Sequence, residues 1–411
     1  MMRDSCIIVM KSFIKLFIKG LLVLMPLWAF IIYAKYYMLD YVNLDTMRII
    51  WNNEFTRTKQ DKYYSVVIIG DSTANGAYIP EVLSDSTINL SLSGTGIIEN
   101  YYTLENYLEH NEAPSDVFVS MCDYHLAQDY FTWSECNRTH KLSISQNAEI
   151  YENIKTYSVD QLVDITGEED YWSNVFLYNT YMPSKYAYPI MQSFCDDRRQ
   201  TNPVEYSNLG IRAGRYYCIT NDVYMPEDVS SDDDFVVSPL QDRYIKMLLE
   251  LCANKGINLH FVKLPVPANF VYFDSYKTSI TQYYEDILKD YSNAEFIWPC
   301  ERYETYYFAD GSHFNNHGSL LFSTSLKALY PEVFSDDSLS DTRMEALRLD
   351  IIGENNPDFL PLWTGDLGFE IVDYEKNGQP YIDIKNNNGD IISTKSMFIN
   401  DDGVYEINEI K

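Results

Sequence analysis

Short apolar runs alternate with segments of helical periodicity along most of this chain of 411 residues. Strands that are separated by helices of this length form βαβ units, which build a parallel sheet covered on both faces. The sequence therefore predicts an α/β fold. The predicted strands are 65–69, 87–93, 116–121, 257–264 and 294–299, and the predicted helices are 79–83, 96–110, 239–256, 279–291 and 318–329.

Two stretches depart from this alternation. Residues 122–238 are rich in Tyr, Asp and Asn without a strand pattern, and we expect an insertion over one end of the sheet, closed by a solvated loop at 231–234. Beyond residue 345, short alternating runs are separated by Asn-Gly pairs, which is a hairpin signal. The sequence thus predicts a lead-in at 38–62, an α/β domain over 63–335 and a small β-rich appendage over 345–411.

The N-terminus has the pattern of a membrane anchor. Lys11, Lys15 and Lys19 share one helix face, and the run Gly20–Ala34 that follows has no charge. This run of 15 residues is short for a span of roughly 20, but the two nearer lysines can extend their ammonium groups to the headgroups. We therefore expect residues 1–37 to hold a cytoplasmic N-terminus and a single transmembrane helix.

The positive charges precede the apolar run, which predicts an N-terminus in the cytoplasm and a body outside it. Two alternatives compete with an anchor. A cleaved signal peptide needs small residues before the cut, and Ile32-Tyr33-Ala34 matches that poorly. A buried core helix does not normally have three lysines ahead of an uncharged run.

Composition excludes one class of partner. The formal net charge is −29, so the basic footprint of a nucleic-acid-binding protein is absent from the sequence. The six Cys beyond Cys6 are widely spread, with no CxxC pair and no metal-ligand spacing. Their even number permits disulfides without establishing them. No metal or organic cofactor is implied.

Ser72 is the candidate nucleophile. The stretch "VVIIGDSTANG" at 66–76 is an apolar run that stops at Gly70, two residues before this serine. The ordinary alternative is a strand followed by a turn, because Gly, Asp and Ser all favour turns. In an open α/β sheet, however, catalytic groups gather at the carboxyl ends of the strands. Polar residues also follow the next two predicted strands, in "NLSLSGTG" (89–96) and "SMCDYH" (120–125).

A base and an orienting carboxylate for this serine are available in "DGSHFNNHG" at 310–318. Asp310 and His313 are three residues apart, so at a helix N-terminus they face the same side. Asp310 could then hold one imidazole nitrogen while the other faces Ser72. The ordinary alternative is a helix N-cap formed by the Asp or Ser of this stretch. We interpret His317, in the same stretch, as a helix surface residue.

The stretches "VVIIGDST", "NLSLSG" and "DGSHFNNHG" resemble the first, second and fifth blocks of the SGNH (GDSL-type) hydrolase superfamily, in the same order. The resemblance covers roughly 64–125 and 239–330. It implies a flavodoxin-like, three-layer α/β/α domain in which Ser72 is the nucleophile and Asp310 and His313 complete the triad. It also implies that the backbone N–H groups of Ser72 and Gly94 bind the oxyanion.

The third block departs from the family pattern Gly-x-Asn-Asp, because Cys122 stands where the oxyanion-binding Asn is expected. A thiol is a weak donor, and one lost oxyanion donor costs about 10²–10³ in rate. The nearest substitute is His125, with Asp123 as a further auxiliary group. His125 could equally be a packed or solvated residue.

The whole layout is similar to the membrane-anchored DltD-like and alginate-acetylation-like subgroup of that superfamily. This likeness implies an extracytoplasmic serine acyltransferase or esterase that acts on acyl esters of a cell-surface polysaccharide or teichoic-acid-like polymer. It also implies a membrane-bound O-acyltransferase as partner. The altered third block leaves two other classes open, which are a weak pseudoenzyme that binds glycan or scaffolds that partner, and a free secreted esterase.

Overall fold

Five parallel strands form the main sheet of this protein, in the spatial order Thr87–Asn89, Val66–Gly70, Asp116–Ser120, Asn258–Val262 and Ala294–Ile297. The computed structural model describes residues 2–128, 132–157, 168–217, 220, 224, 230–232, 234–334, 341–352, 369–376, 379–386, 391–399 and 405–409. In these residues the strands are β1 (Val66–Gly70), β2 (Thr87–Asn89), β3 (Asp116–Ser120), β4 (Ser230–Asp232), β5 (Asn258–Val262), β6 (Val266–Pro267), β7 (Phe270–Tyr272), β8 (Ala294–Ile297), β9 (Arg302–Tyr303), β10 (Phe369–Lys376), β11 (Gln379–Asn386), β12 (Ile391–Ile399) and β13 (Tyr405–Glu409).

Helices connect these strands. The described α-helices are α1 (Met2–Tyr37), α2 (Leu44–Thr56), α3 (Ser72–Ala77), α4 (Pro80–Leu83), α5 (Ile97–His110), α6 (Asp123–Ala127), α7 (Trp133–Arg138), α8 (Ile144–Tyr157), α9 (Glu168–Asn179), α10 (Pro183–Gln192), α11 (Arg198–Ile211), α12 (Pro239–Lys255), α13 (Asp274–Leu288), α14 (Asn316–Leu329) and α15 (Asp341–Ile352). Two 3₁₀ turns lie at Leu39–Tyr41 and Thr305–Tyr307. The predicted α/β class with a parallel sheet is confirmed.

The chain divides into two compact units. The first comprises residues 1–55 and 129–208, and the secondary-structure elements described in it are α-helices and one 3₁₀ turn. The second comprises residues 56–128 and 209–411, and it holds every described strand together with the candidate site.

The middle of the sheet is buried on both faces. All five residues of β1 and of β3 are buried, because β1 lies between β2 and β3, and β3 lies between β1 and β5. A strand covered on both faces has a continuous apolar run rather than an alternating one, which explains the sequence of β1. Its side chains pack with aromatic residues such as Tyr78, Phe118 and Phe322 in one core cluster.

Local signals set both ends of α12 close to where the sequence places them, whereas α13 begins five residues before the predicted residue 279. The side chain of Ser238 caps α12 by accepting a hydrogen bond from Gln241 N, and Pro239 occupies the first turn. Gly256 ends the helix at φ 69°, a left-handed conformation that glycine adopts without a steric penalty.

The first two residues of the acidic stretch 231–234 correct one expectation. We expected a solvated loop there, but residues 230–232 form β4, which pairs in parallel with β7. Strands this short have little sequence pattern, since pairing with a partner strand decides their conformation.

A separate four-stranded antiparallel sheet, β10-β11-β12-β13, lies near the C-terminus. β10 and β11 pair over their full eight residues, from Phe369 opposite Asn386 to Lys376 opposite Gln379.

α1 is long and apolar enough to cross a membrane, over Lys11–Tyr37 with a mean hydropathy of 2.1. Every side chain described between Lys11 and Leu27 is exposed.

Candidate active site

The turn after β1 places Ser72 at the carboxyl end of the sheet. Gly70 is required here, because a Cβ at this position would lie 1.9 Å from the backbone oxygen of Ser120 on the neighbouring strand. Asp71 caps α3, since its side chain accepts a hydrogen bond from Thr73 N at 2.8 Å. Ser72 is therefore the first residue of α3 and is largely buried.

The loop 308–315 brings the second half of the site to the same edge. Ala309 N donates to His313 O, and Asp310 Oδ1 accepts from the backbone N–H groups of Ser312 and His313 at 2.9 Å each. The cap of α14 is Asn315, which accepts from Gly318 N. The alternative in which Asp310 or Ser312 caps this helix is therefore wrong.

Ser72, His313 and Asp310 form a continuous hydrogen-bonded chain. His313 Nε2 lies 2.8 Å from Ser72 Oγ. On the other side of the ring, His313 Nδ1 lies 2.9 Å from both carboxylate oxygens of Asp310. These contacts have the geometry of a nucleophile, a base and a group that orients the base.

Comparisons with known proteins do not assign this chain to a family. No family model matches the chain. No curated protein matches it either.

The electrostatics of Asp310 suit an orienting role. Partial burial raises the pKa of its carboxyl group, but hydrogen bonds from the His313 ring and from the backbone N–H of Ser312 outweigh burial and hold the pKa at about 2. Asp310 is therefore ionised at neutral pH. A carboxylate against Nδ1 favours the tautomer in which Nε2 can accept the serine proton.

Gly94 is in the left-handed region at φ 66°, as the tight turn after β2 requires. Its loop is joined to the serine turn, because Gly70 O accepts hydrogen bonds from Leu92 N and Thr95 Oγ1. The predicted second oxyanion residue thus belongs to a loop fixed at the carboxyl end of β1.

Cys122 lies two residues after the end of β3. Its backbone N–H donates to Asp71 Oδ2 at 2.8 Å. Burial, with the nearby Asp71 carboxylate, raises the pKa of its thiol to about 11, so the side chain is a neutral thiol at neutral pH. A neutral thiol is a weak hydrogen-bond donor.

His125 is neither solvated nor merely packed. Its Nδ1 lies 2.9 Å from Oδ2 of the fully buried Asp71. Burial lowers the pKa of His125, but the hydrogen bond and charge of Asp71 outweigh it, and the net shift is upward. The sequence named this histidine without its partner, because the two residues are distant along the chain.

Asp123 has a different environment from the triad. Its Oδ2 accepts from Lys263 Nζ at 2.5 Å and from the Tyr276 hydroxyl. Lys263 follows β5, is largely buried, and lies over the rings of Tyr272 and Tyr276. Asp123 therefore neutralises a buried cation, which is a structural role.

Sequence reasoning missed a segment that lines the site. The Tyr217 ring centroid lies 4.3 Å from that of His313. Asn75 holds this segment, because its Oδ1 accepts from the backbone N–H groups of Tyr216 and Tyr217. The Tyr-rich stretch has no motif spacing, so its composition was the only available signal.

The interpretation of His317 as a surface residue was wrong. It is buried in the first turn of α14. The cause is the close approach of this turn to Tyr307 O, where a Cβ on Gly318 would come within 2.0 Å.

Proposed function

We propose that this chain is a membrane-anchored serine acyltransferase or esterase of the SGNH type. The observation that carries the proposal is the hydrogen-bonded chain from Ser72 Oγ through His313 to Asp310. Ser72 attacks the acyl carbon of an ester, and His313 takes its proton at Nε2. His313 then returns that proton to the leaving alcohol oxygen, which leaves an acyl-enzyme on Ser72.

The sheet order supports the fold part of this proposal. Counted in chain order, the five parallel strands have the order 2-1-3-4-5, which is that of flavodoxin-like sheets. Ser72, Gly94 and Cys122 follow three of these strands at their carboxyl ends, as the blocks of an SGNH domain over 63–335 require. We interpret the antiparallel sheet β10–β13 as part of a small appendage over 345–411.

The third block favours transfer over hydrolysis. The Cys122 thiol is a poor replacement for an amide donor, so the oxyanion site has the backbone N–H groups of Ser72 and Gly94 as its expected donors. An acceptor hydroxyl held in place gains the advantage of orientation that bulk water lacks. We propose a surface polysaccharide or teichoic-acid-like polymer as the acceptor.

The anchor supports an extracytoplasmic site of action. The lysines that precede the uncharged run predict a cytoplasmic N-terminus. A span also keeps the site near a membrane-embedded acyl donor, which raises the effective concentration of that donor. A membrane-bound O-acyltransferase is the partner that this arrangement suggests.

A fluorophosphonate probe tests the nucleophile on the full-length chain. We expect wild type and the Ser184→Ala control to be labelled equally, because Ser184 is an exposed residue of α10. Ser72→Ala should abolish labelling, and His313→Ala should slow it by orders of magnitude. Equal labelling of Ser72→Ala and wild type, with both folded by circular dichroism, would falsify the assignment.

A cellular assay separates the classes of function. If the chain is a transferase, Ser72→Ala lowers the acyl content of the surface polymer, and the purified wild type hydrolyses small aryl esters only weakly. Brisk hydrolysis with unchanged surface acylation in the variant indicates an esterase. Wild type that is unlabelled, together with a normal Ser72→Ala strain, indicates a pseudoenzyme that binds glycan or scaffolds a partner.

A further inference from the structure

The environment of α1 changes at Trp28. Before it, the apolar side chains described from Phe13 to Leu27 are exposed. From Trp28 onward one side of the helix packs against protein, because Trp28 Nε1 donates to Thr180 O at 2.7 Å, and Ile31 and Ala34 are buried. Thr180 lies between α9 and α10, so these two helices form a hairpin whose tip contacts the apolar helix.

The part of α1 without protein contact is too short to cross a bilayer. Lys15 and Lys19 extend to the cytoplasmic headgroups in the expected orientation, and the helix from Lys15 to Leu27 has 13 residues, about 20 Å at 1.5 Å per residue. The hydrocarbon core is about 30 Å thick. The bilayer must therefore extend past Trp28, to the level at which α1 packs against the hairpin.

The hairpin has apolar side chains on its outer side. The exposed fractions are 62% for Phe176 on α9, and 68%, 68% and 67% for Tyr188, Met191 and Phe194 on or just after α10. We call these four residues the hairpin face. No charged residue occurs between Lys185 and Asp196. The Arg199 guanidinium lies 4.1 Å from the centroid of the Phe194 ring, so Phe194 is at the charged edge of the face.

The opposite side of α10 is apolar as well. Tyr186 and Ile190 are buried in the unit. The exposed residues of α10 are Ser184, Tyr188 and Met191, so the C-terminal half of its outer side is apolar, whereas the outer side of a surface helix in a water-soluble protein is polar. An outer side of this kind is suited to a non-aqueous neighbour.

The distribution of net charge between the two units favours lipid contact by the helical unit. Beyond the cytoplasmic segment 1–19, the helical unit (residues 20–55 and 129–208) has 8 Lys and Arg against 15 Asp and Glu, a net charge of −7, whereas residues 56–128 and 209–411 have −25. Anionic headgroups therefore repel this unit less than they repel the rest of the chain. Exposed tyrosines Tyr33, Tyr36 and Tyr37 end α1, and tyrosine is enriched at the membrane–water interface.

We propose that the hairpin face lies in the headgroup–acyl boundary of the bilayer that α1 crosses, so that the helical unit has a monotopic contact in addition to its span. Burial of the apolar side chains of the hairpin face in this boundary supplies the free energy of such binding. The proposal does not depend on the chemistry of Ser72, and it can fail while the triad assignment holds.

Photo-crosslinking from single positions tests this contact. The full-length chain, with benzoylphenylalanine at Tyr188 or at Met191, is placed in vesicles of phosphatidylcholine and phosphatidylglycerol that contain a radiolabelled lipid. The matched control is Ile144, which is 62% exposed at the start of α8 in the same unit. We expect about fivefold or more lipid adduct at Tyr188 and Met191 than at Ile144. Equal yields at all three positions overturn the proposal.

The same probes in native membranes distinguish lipid from a protein partner. Adducts to lipid support the proposal, and adducts to protein with none to lipid overturn it. Because α1 retains every variant on the membrane, attachment is not the readout. We instead expect Tyr188→Glu with Met191→Glu to lower the lipid adduct from a probe at Phe176, while Ile144→Glu leaves it unchanged. An undiminished adduct in the folded double variant also counts against the hairpin face.

Discussion

His125 Nδ1 lies 2.9 Å from Oδ2 of Asp71, the residue that directly precedes Ser72. Asp71 is fully buried, and its carboxylate also accepts hydrogen bonds from the backbone N–H groups of Thr73 and Cys122. A buried carboxylate needs such partners, because an isolated charge in the interior is costly. One carboxylate thus joins the turn after β1 to the turn after β3, and the position of the nucleophile depends on both.

The contribution of this pair to stability should depend on pH. Burial opposes charge on both groups, but their mutual interaction outweighs it, so the pKa of His125 is raised above 6.5 and the pKa of Asp71 is lowered below 3.8. The contribution of His125 is fully present below its unfolded pKa and is lost as pH rises through its raised folded pKa. The contribution of Asp71 is present above 3.8 and is lost as pH falls through its lowered pKa.

The stability lost in His125→Gln should therefore be largest between pH 3.8 and 6.5 and should shrink at higher pH. Urea denaturation of both proteins at about pH 5.5 and about pH 8.5 measures this. His110→Gln is the control, since His110 is exposed at the end of α5. Glu99 also raises the pKa of His125, so Glu99→Gln should reduce the pH dependence in part. A loss that is constant across this range contradicts the ion pair.

Replacing Asp310 by Asn should slow acylation of Ser72 by about 10⁴, because the amide retains the shape of the side chain but not the charge that orients the imidazole. The rate of fluorophosphonate labelling measures the effect. Asp286→Asn, an exposed position of α13, should label like wild type. A decrease of less than about tenfold for Asp310→Asn would mean that another group orients His313.

Replacing Cys122 by Asn should raise the hydrolysis of small aryl esters, by up to about 10²–10³ if the amide reaches the oxyanion. The backbone N–H bond from Cys122 to Asp71 does not involve the side chain and remains in the variant. Cys122→Ala, which also lacks an amide, should not show the gain. If Cys122→Asn does not hydrolyse aryl esters faster, the third oxyanion donor lies at another position.

Gly70→Ala should lower the thermal midpoint strongly. The added Cβ would lie 1.9 Å from Ser120 O and 2.6 Å from Ala74 Cβ, so the backbone of the nucleophile turn must shift, at a cost of about 3 kcal/mol. Gly210→Ala is the control, because nothing lies within 4 Å of a Cβ there and helical alanine gains about 0.5–1 kcal/mol. Circular dichroism melting measures both variants. A thermal midpoint of Gly70→Ala similar to that of wild type would mean that the nucleophile turn accommodates the added Cβ.

Reporter fusions measure the orientation of α1 in the membrane. α1 is long and apolar enough to span a membrane, and the lysines precede its uncharged run. We expect alkaline phosphatase fused after residue 60 to be active and the same enzyme fused after residue 11 to be inactive. The reverse pattern excludes both an extracytoplasmic site and a surface polymer as substrate.

The candidate triad could be named from the sequence because each member has a local signal. Ser72 follows a strand-to-glycine boundary, and Asp310 and His313 are three residues apart. The convergence of Ser72 with His313 could not be derived from residue patterns alone, because the two are 241 residues apart and meet only through the order of the sheet strands.

The sequence by itself determined the α/β class, the ends of α5 and α12, and the apolar N-terminal helix. These features depend on periodicity, caps and composition, which act over a few residues. Only the tertiary structure decided the pairing of Asp71 with His125, the burial of His317, and the placement of Tyr217 against His313. Each of these depends on contacts between segments that are distant along the chain, where packing and the need to satisfy buried polar groups outweigh local preference.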